Sequence, residues 1–300
     1  MNIYEDITLI YVCYNSTKLI KKNINNIKKF KSIIVDNANS FELSTIIKKI
    51  DNITYINTSK NLGYGRANNI GVSYAKTPYV LILNPDIYFE TNSIDELLKA
   101  FTSFDNVGVA APSLYDQNNN RRSNSSLSYL KKKIHRSKFN KKIYNDVLNT
   151  NTDGPLCCDY LIGCALLFNK SFFLEIGGFD DSFFMYFEDN EICDRINKNN
   201  KIVLEVPKSK MVHLQGESST LNFFTKSKIS IIHKISEYIY LKKNIKRHLL
   251  FFFIFKNFFD FFQRFIFSLL TLKFKKSYKN FLRIISIFFF ITNLYLFLYR

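Results

Sequence analysis

An α/β fold is predicted, a mostly parallel sheet flanked by helices with a helical appendage at the C-terminus, and three features of this 300-residue sequence predict it. Short β-branched runs alternate with polar helical stretches through the first part of the chain, the pattern of right-handed βαβ units. Small polar residues follow the apolar runs, where ligands bind in such sheets. Beyond residue 220 the chain becomes basic and Phe-rich, with charges spaced for helices.

Taken in order, Thr8 to Cys13 reads as a buried strand, and Ser16 to Phe30 as a helix capped by Ser16 or Thr17. A second strand runs from Ser32 to Val35, followed by a helix near Phe41 to Ile50. Ile53 to Asn57 is a third strand, Arg66 to Ala75 a helix, and Tyr79 to Leu83 a fourth strand. Polar residues stand at the strand ends: Asn15, Asp36-Asn37 and Asn84-Pro85-Asp86. After Val107 to Ala110 the pattern breaks, and Asp116 to Asp153 reads as a long surface loop whose Lys/Arg run is either a solvated charge run, the leading reading, or a contact to a phosphorylated acceptor. Asp159 to Phe168 reads as one core strand with a close backbone approach at Gly163. A Gly177-Gly178 turn, the run FFMYFEDNEICDRI and a strand around Ile202 to Val206 follow. No internal repeat is present.

The length supports one large domain or one domain plus an appendage, and 47% hydrophobic with 22% charged residues argues against wholesale disorder. Of the net charge of +17, residues 221–300 carry +13, together with 18 of the 31 Phe. Basic and aromatic together point to an anionic membrane surface rather than to nucleic acid. The cysteines (Cys13, Cys157, Cys158, Cys164, Cys193) have no metal-ligand spacing and read mostly as small buried hydrophobes, which fits a reducing compartment. The N-terminal MNIYEDITLIYV has no basic segment before its apolar run, so the expected site of the catalytic part is the cytoplasm.

Three acidic or imidazole positions carry chemistry. Asp86 follows an apolar strand and Pro85, where a carboxylate can hold a divalent cation against a diphosphate. Glu188-Asp189-Asn190-Glu191 follows the aromatic run Phe183 to Phe187. Acids beside that surface have raised pKa values, which suits a general base, and acids also suit a helix N-terminus. His213 ends the apolar pair Met211-Val212, as a structural residue or a ligand.

An acid after the fourth strand, an acidic pair after an aromatic run and a late His form one ordered set with six longer segments. These are Val12 to Ser16, Ile33 to Ala38, Asn61 to Asn69, Leu81 to Asp86, Gly177 to Asp189, and Val212-His213. In this order and spacing the chain resembles family 2 glycosyltransferases, in the rhamnosyltransferase-like branch with the GT-A fold. The resemblance covers residues from about 7 to 220. It implies a domain at 1–222, and the basic, Phe-rich composition beyond it is expected to form a membrane-associating helical region at 223–300. The resemblance also implies inverting transfer of rhamnose or a hexose from a dTDP- or UDP-sugar to a saccharide acceptor, lipid-linked in the leading reading, in cell-surface polysaccharide synthesis. By the same resemblance Asn15, Asp36, Asn37, Arg66 and Asn68 contact the donor. Asp86 and His213 hold a divalent cation, Mg2+ or Mn2+, and Asp189, with Glu188 beside it, is the base. Two positions depart from the family pattern: Glu191 stands where Asp is usual, and Ala38 to Phe41 lacks a later acid.

In the appendage, Lys256, Asp260 and Arg264 recur every four residues within the apolar Leu249 to Leu272. They form one polar stripe in which Lys–Asp and Asp–Arg pairs are expected, the signature of an interfacial helix. Ile284 to Tyr299 is uncharged but, at 16 residues, short of the roughly 17–25 needed for a span. Peripheral attachment at the cytoplasmic face is therefore expected, with a shallow or spanning final helix or a packed interface as the other readings. Two further function classes compete with transfer. One is a catalytically silent scaffold, which would be free to lose Asp86, Asp189 and His213. The other is a nucleotidyltransferase, which needs a Gly-rich basic segment where this chain has Tyr14 to Thr17.

Overall fold

The computed structural model describes residues 2–122, 124–126, 154–214 and 223–294. Most of the basic run after Ser126, the Gln215-Gly216 pair and the end of the final apolar segment lie outside the described residues. Two compact units are formed, Met1–Asp180 with Glu188–Ser219, and Asp181–Phe187 with Thr220–Arg300.

In the first unit, β1 (Ile7–Cys13), β2 (Lys31–Asp36), β3 (Ile53–Asn57) and β4 (Tyr79–Leu83) are parallel, in spatial order β3-β2-β1-β4. The residues of β1, β2 and β4 are almost continuously apolar because both faces are covered, while the edge strand β3 is half exposed. One face packs α2 (Thr17–Ile27), α3 (Phe41–Ile47) and α5 (Thr91–Thr102) through Ile20, Ile27, Leu43, Ile47, Leu97 and Phe101. The other packs α4 (Tyr64–Tyr74), α6 (Lys170–Glu175) and α7 (Glu188–Lys198) through Val72, Phe173, Ile192 and Ile196. Neighbours along β1 divide accordingly, Leu9 and Tyr11 to the first core and Ile10 to the second.

Beyond β4 the sheet is mixed rather than parallel. β11 (Ala165–Asn169) lies antiparallel to β4 and to β6 (Val107–Tyr115). β12 (Ile202–His213) is parallel to β6, and β5 (Ile87–Phe89) closes the edge antiparallel to β12. The expected single strand over Asp159 to Phe168 is two: β10 (Tyr160–Leu161) pairs with β8 (Ser125–Ser126), and a turn at Gly163 leads into β11. The segment expected to be loop from Asp116 begins with an Asx-type turn, in which Asp116 Oδ1 accepts from Asn118 N (2.9 Å) and Asn120 N (2.8 Å). It then forms β7 (Arg121–Arg122) against β6. Cys13, Cys164 and Cys193 are buried as expected, but Cys157, on the short strand β9 (Leu156–Cys158), is exposed.

The second unit contains α8 (Phe223–Asn244), α9 (Arg247–Leu270) and α10 (Phe274–Thr292). The run from Asp181 to Phe187 groups with them. Ser236 Oγ donates to Met185 O (2.8 Å), and the Tyr186 and Phe187 rings lie 5.1 and 5.4 Å from the His233 ring. Tyr186 and Phe187 both have left-handed backbones, φ +72° and +68°, a conformation that costs roughly 1–2 kcal/mol per L-residue. On α9, Lys256, Asp260 and Arg264 make no ion pairs with one another, contrary to the expected stripe of pairs. Exposed pairs gain too little to hold long side chains in place. Among the described residues no helix is long and apolar enough to cross a membrane.

Candidate active site

Asp86 lies in the turn between β4 and β5, closed by Ile87 N donating to Asn84 O (3.0 Å). Strand β5 then runs against the end of β12, with Ile87 opposite His213, and Leu214 N donates to Asp86 O (3.0 Å). This ladder brings His213 Nε2 to 3.4 Å from Asp86 Oδ2, with both side chains largely buried. The late His is therefore fixed beside the strand-end acid by strand register, across more than a hundred residues of sequence.

Asp189 occupies the first turn of α7, with Glu188 and Glu191. Its Oδ2 accepts from Tyr160 OH (2.9 Å) and Gly163 N (3.1 Å), and its Oδ1 from Asn190 N (2.9 Å). Burial pushes the carboxyl above the usual aspartate range, and these hydrogen bonds to its charged form pull it back. Burial and then the Asp189 charge push the Tyr160 phenol well up, so it remains a donor. Gly163 gives room here, because a Cβ at that position would lie 3.2 Å from Asp189 Cβ and press on it. One residue on, Cys164 O accepts from Asn84 N (2.8 Å). The Gly163-Cys164 turn thus ties Asp189 on one side to the end of β4, next to Asp86, on the other.

Glu188 is buried, its Cβ close to Gly65 of α4. Glu191 holds Arg195 instead of facing the site. Its Oε1 and Oε2 accept from Arg195 Nε (2.7 and 2.9 Å), and Arg195 Nη2 also donates to Gly178 O (2.6 Å). The Gly-Gly turn is clasped from α4 as well, where Asn69 Oδ1 accepts from Phe179 N (2.8 Å) and Asn69 Nδ2 donates to Phe179 O (2.8 Å).

The positions expected to meet the donor divide into two kinds. Asp36, fully buried, accepts from Ala38 N (3.0 Å), Ser40 N (2.6 Å) and Tyr55 OH (2.6 Å), which anchors the start of α3. Asn37 donates to Asn61 Oδ1 (2.9 Å) and Gly63 O (3.2 Å) and accepts from Thr58 Oγ1 (3.0 Å) and Leu62 N (2.9 Å). It thereby fixes the loop leading into α4. Asn15 (φ +55°) and Arg66 are exposed at the ends of β1 and the start of α4. Asn68 is buried; its Nδ2 donates to Tyr64 O (3.0 Å), while its Oδ1 has no hydrogen-bond partner among the described residues. Tyr160, Asn69 and Arg195 were not foreseen, since each acts on a partner far away or reads as an ordinary helix residue.

The family model described as glycosyl transferase family 2 matches residues 8–172, more than half of the chain. The chain belongs to glycosyl transferase family 2. A second model, described as the N-terminal domain of galactosyltransferase, matches residues 147–217, which include Asp189 and His213. The glycosyltransferase is 29% identical over 215 residues to the low-salt glycan biosynthesis hexosyltransferase Agl10 of Haloferax volcanii, a match covering 65% of this chain and 63% of that relative. It is 27% identical over 216 residues to the N-acetylglucosaminyl-diphospho-decaprenol L-rhamnosyltransferase of Mycobacterium tuberculosis, covering 65% of this chain and 68% of that one. The chain thus spans less than two thirds of the first of these relatives. The GT-A fold is shared with the mannosyltransferase PcManGT of Pyrobaculum calidifontis, solved with GDP-mannose and Mn2+, at a TM-score of 0.55 and 15% identity over 80% of this chain and 65% of that one.

Proposed function

We propose that this glycosyltransferase moves rhamnose or a hexose, with inversion, from a dTDP- or UDP-linked donor to a hydroxyl of a saccharide acceptor. The observation that carries the reading is the Gly163-Cys164 turn, which couples the buried acid Asp189 to the strand end bearing Asp86. In the reaction Asp189 takes the proton of the acceptor hydroxyl. The freed oxygen bonds to the anomeric carbon while the bond from that carbon to the diphosphate breaks, and the electron pair leaves on the diphosphate. Glu188 lies beside the base. Asn15 and Arg66 contact the nucleotide, Asp36 and Asn37 hold the loops around it, and the buried Asn68 Oδ1 accepts a hydrogen bond from the donor.

Asp86 and His213 suit a divalent cation, Mg2+ or Mn2+, because a carboxylate and an imidazole 3.4 Å apart supply two compatible ligands. Among the described residues no third His, Cys, Asp or Glu completes a cage. This fits an ion that takes its remaining ligands from phosphates and water. Bound there, the cation would neutralise charge on the departing diphosphate. Support for a cation comes also from the Mn2+ in PcManGT, and for a lipid-linked acceptor from the diphospho-decaprenol in the mycobacterial enzyme's name. A peripheral place on the cytoplasmic face of the membrane, through residues 223–300, suits such an acceptor.

A thermal-shift screen against UDP-, dTDP- and GDP-sugars, each with and without Mn2+, tests the reading, because ligands that bind only the native state raise its melting temperature. A metal-dependent rise with one nucleotide is expected. No rise with any of them would favour a silent scaffold.

A further inference from the structure

The helical unit holds a cleft of about 450 Å3 between α9 and α10. Arg264 of α9, the connecting Lys273, and Lys276, Lys279 and Arg283 of α10 line it, with Phe267 at its rim and no carboxylate among the lining residues. Lys276, Lys279 and Arg283 follow one another by three and four residues, so they share a helix face where like charges repel. Asp260, the one acid within α9 and α10, is not part of the lining. The neighbouring cleft against α8 shares Lys279 and Arg283 but differs in holding a carboxylate, Glu237, which pairs with Lys234 at 2.5 Å. Arg283 is also oriented in advance. Its guanidinium carbon lies 5.1 Å from the centre of the Phe261 ring, and its Nη1 donates to Asn280 Oδ1 (3.4 Å).

The surroundings of this cleft are apolar. Phe267 is 65% exposed, and Leu270, Leu272 and Phe274 stand exposed at the same helix junction, continuing the exposed Phe face of α9. A compact cluster of guanidinium and ammonium groups matches the geometry and charge of a phosphate. Set in an apolar rim, it matches a phosphate that carries hydrocarbon.

We propose that the cleft between α9 and α10 binds the phosphate headgroup of an anionic membrane lipid, the Phe face lying against the acyl region. The proposal rests on the reading that this unit meets the membrane, and it is independent of the sugar-transfer chemistry.

Sedimentation of the full chain with vesicles tests it, without any nucleotide sugar present. Phosphatidylcholine vesicles carrying phosphatidic acid are expected to bind at least tenfold more tightly than vesicles given the same surface charge with oleate. A basic residue near an anionic surface is worth about fivefold in partitioning, so unspecific attraction would cost any pair of Lys→Gln changes about 25-fold. The pair Lys276→Gln with Lys279→Gln is expected to lose at least ten times more affinity than Lys256→Gln with Lys275→Gln, exposed cations outside the cleft. Equal losses for the two pairs, or equal binding to oleate vesicles, would overturn the site. Inorganic diphosphate bound in a Lys276- and Lys279-dependent way, with phosphatidic acid vesicles bound no better than phosphatidylcholine alone, would identify a soluble phosphate ligand and refute the lipid. Cleft-dependent retention of single-stranded RNA without vesicle binding would refute it as well. Loss of metal-dependent nucleotide binding in the thermal-shift screen, by contrast, would bear only on the transfer reading.

Discussion

Replacing Tyr160 by Phe removes one hydrogen bond from the proposed base and leaves the ring in place. The phenol donates to Asp189 Oδ2 at 2.9 Å, and it favours the charged carboxylate while burial disfavours it. A hydrogen bond to a charged group is worth about 1.5–3 kcal/mol, and 1.36 kcal/mol corresponds to one pH unit. Its loss raises the pKa of Asp189 further. Since the base acts only when ionised, the acidic limb of the kcat/KM profile is expected to move toward neutral pH by about one to two units. Activity on the alkaline side of that limb is retained. The measurement is initial transfer rate against pH for Tyr160→Phe and the parent chain, with the responsive nucleotide sugar. A limb that stays in place while the melting temperature falls would mean that the Tyr160–Asp189 contact is structural only, and the base assignment would fail with it.

Other perturbations address the remaining parts. Asp189→Asn is expected to abolish transfer, by 10²-fold or more, while nucleotide binding in a thermal-shift assay changes little. Gly163→Ala places a Cβ 3.2 Å from Asp189 Cβ, so transfer is expected to fall at least tenfold for about 1–3 kcal/mol of stability, read by urea unfolding. Arg195→Ala leaves the largely buried Glu191 without its guanidinium and releases Gly178 O. A loss of roughly 3–5 kcal/mol in unfolding free energy is expected. His213→Ala is expected to raise the Mn2+ concentration needed for half-maximal nucleotide-induced stabilisation, with little effect on melting without metal.

The parallel half of the sheet was legible because β1, β2 and β4 are buried on both faces, which writes itself as nearly unbroken apolar runs, and the edge strand β3 by its β-branched residues between turn signals. The close approach at Gly163 was legible too, though not its target. Contacts between distant residues were not legible. Tyr160 and Asp189 stand 29 residues apart, and nothing local to either announces the pair. The break between β10 and β11 was hidden because Leu161 to Phe168 is apolar throughout, and only the turn at Gly163 divides it. The aromatic run before Glu188 reads as part of the acidic cluster by proximity in sequence, yet its rings pack on α8. Asp36 and Asn37 are donor contacts by the resemblance, and nothing local to them announced that their side chains also bind the chain's own loops. A truncation at residue 222 would remove α8 and strip Tyr186 and Phe187 of these partners, so point substitutions in the appendage are the cleaner probes of membrane release.

Strand β12 works as a ruler with a splice in it. Near one end Glu205, buried, accepts from Ser113 Oγ (2.6 Å) and Arg121 Nη2 (2.9 Å), and at the other His213 meets Asp86. Between them the pairing jumps, for Val206 faces Pro112 and Lys210 faces the very next residue, Ser113. Side chains alternate from one sheet face to the other, so the pairing that resumes after that splice sets the face of everything after it. A one-residue slip of β12 against β5 would leave every proposed site residue chemically intact and point His213 away from Asp86. Register beyond the splice thus matters to the site as much as the acids do, and a slip there is a way to silence the site without touching it.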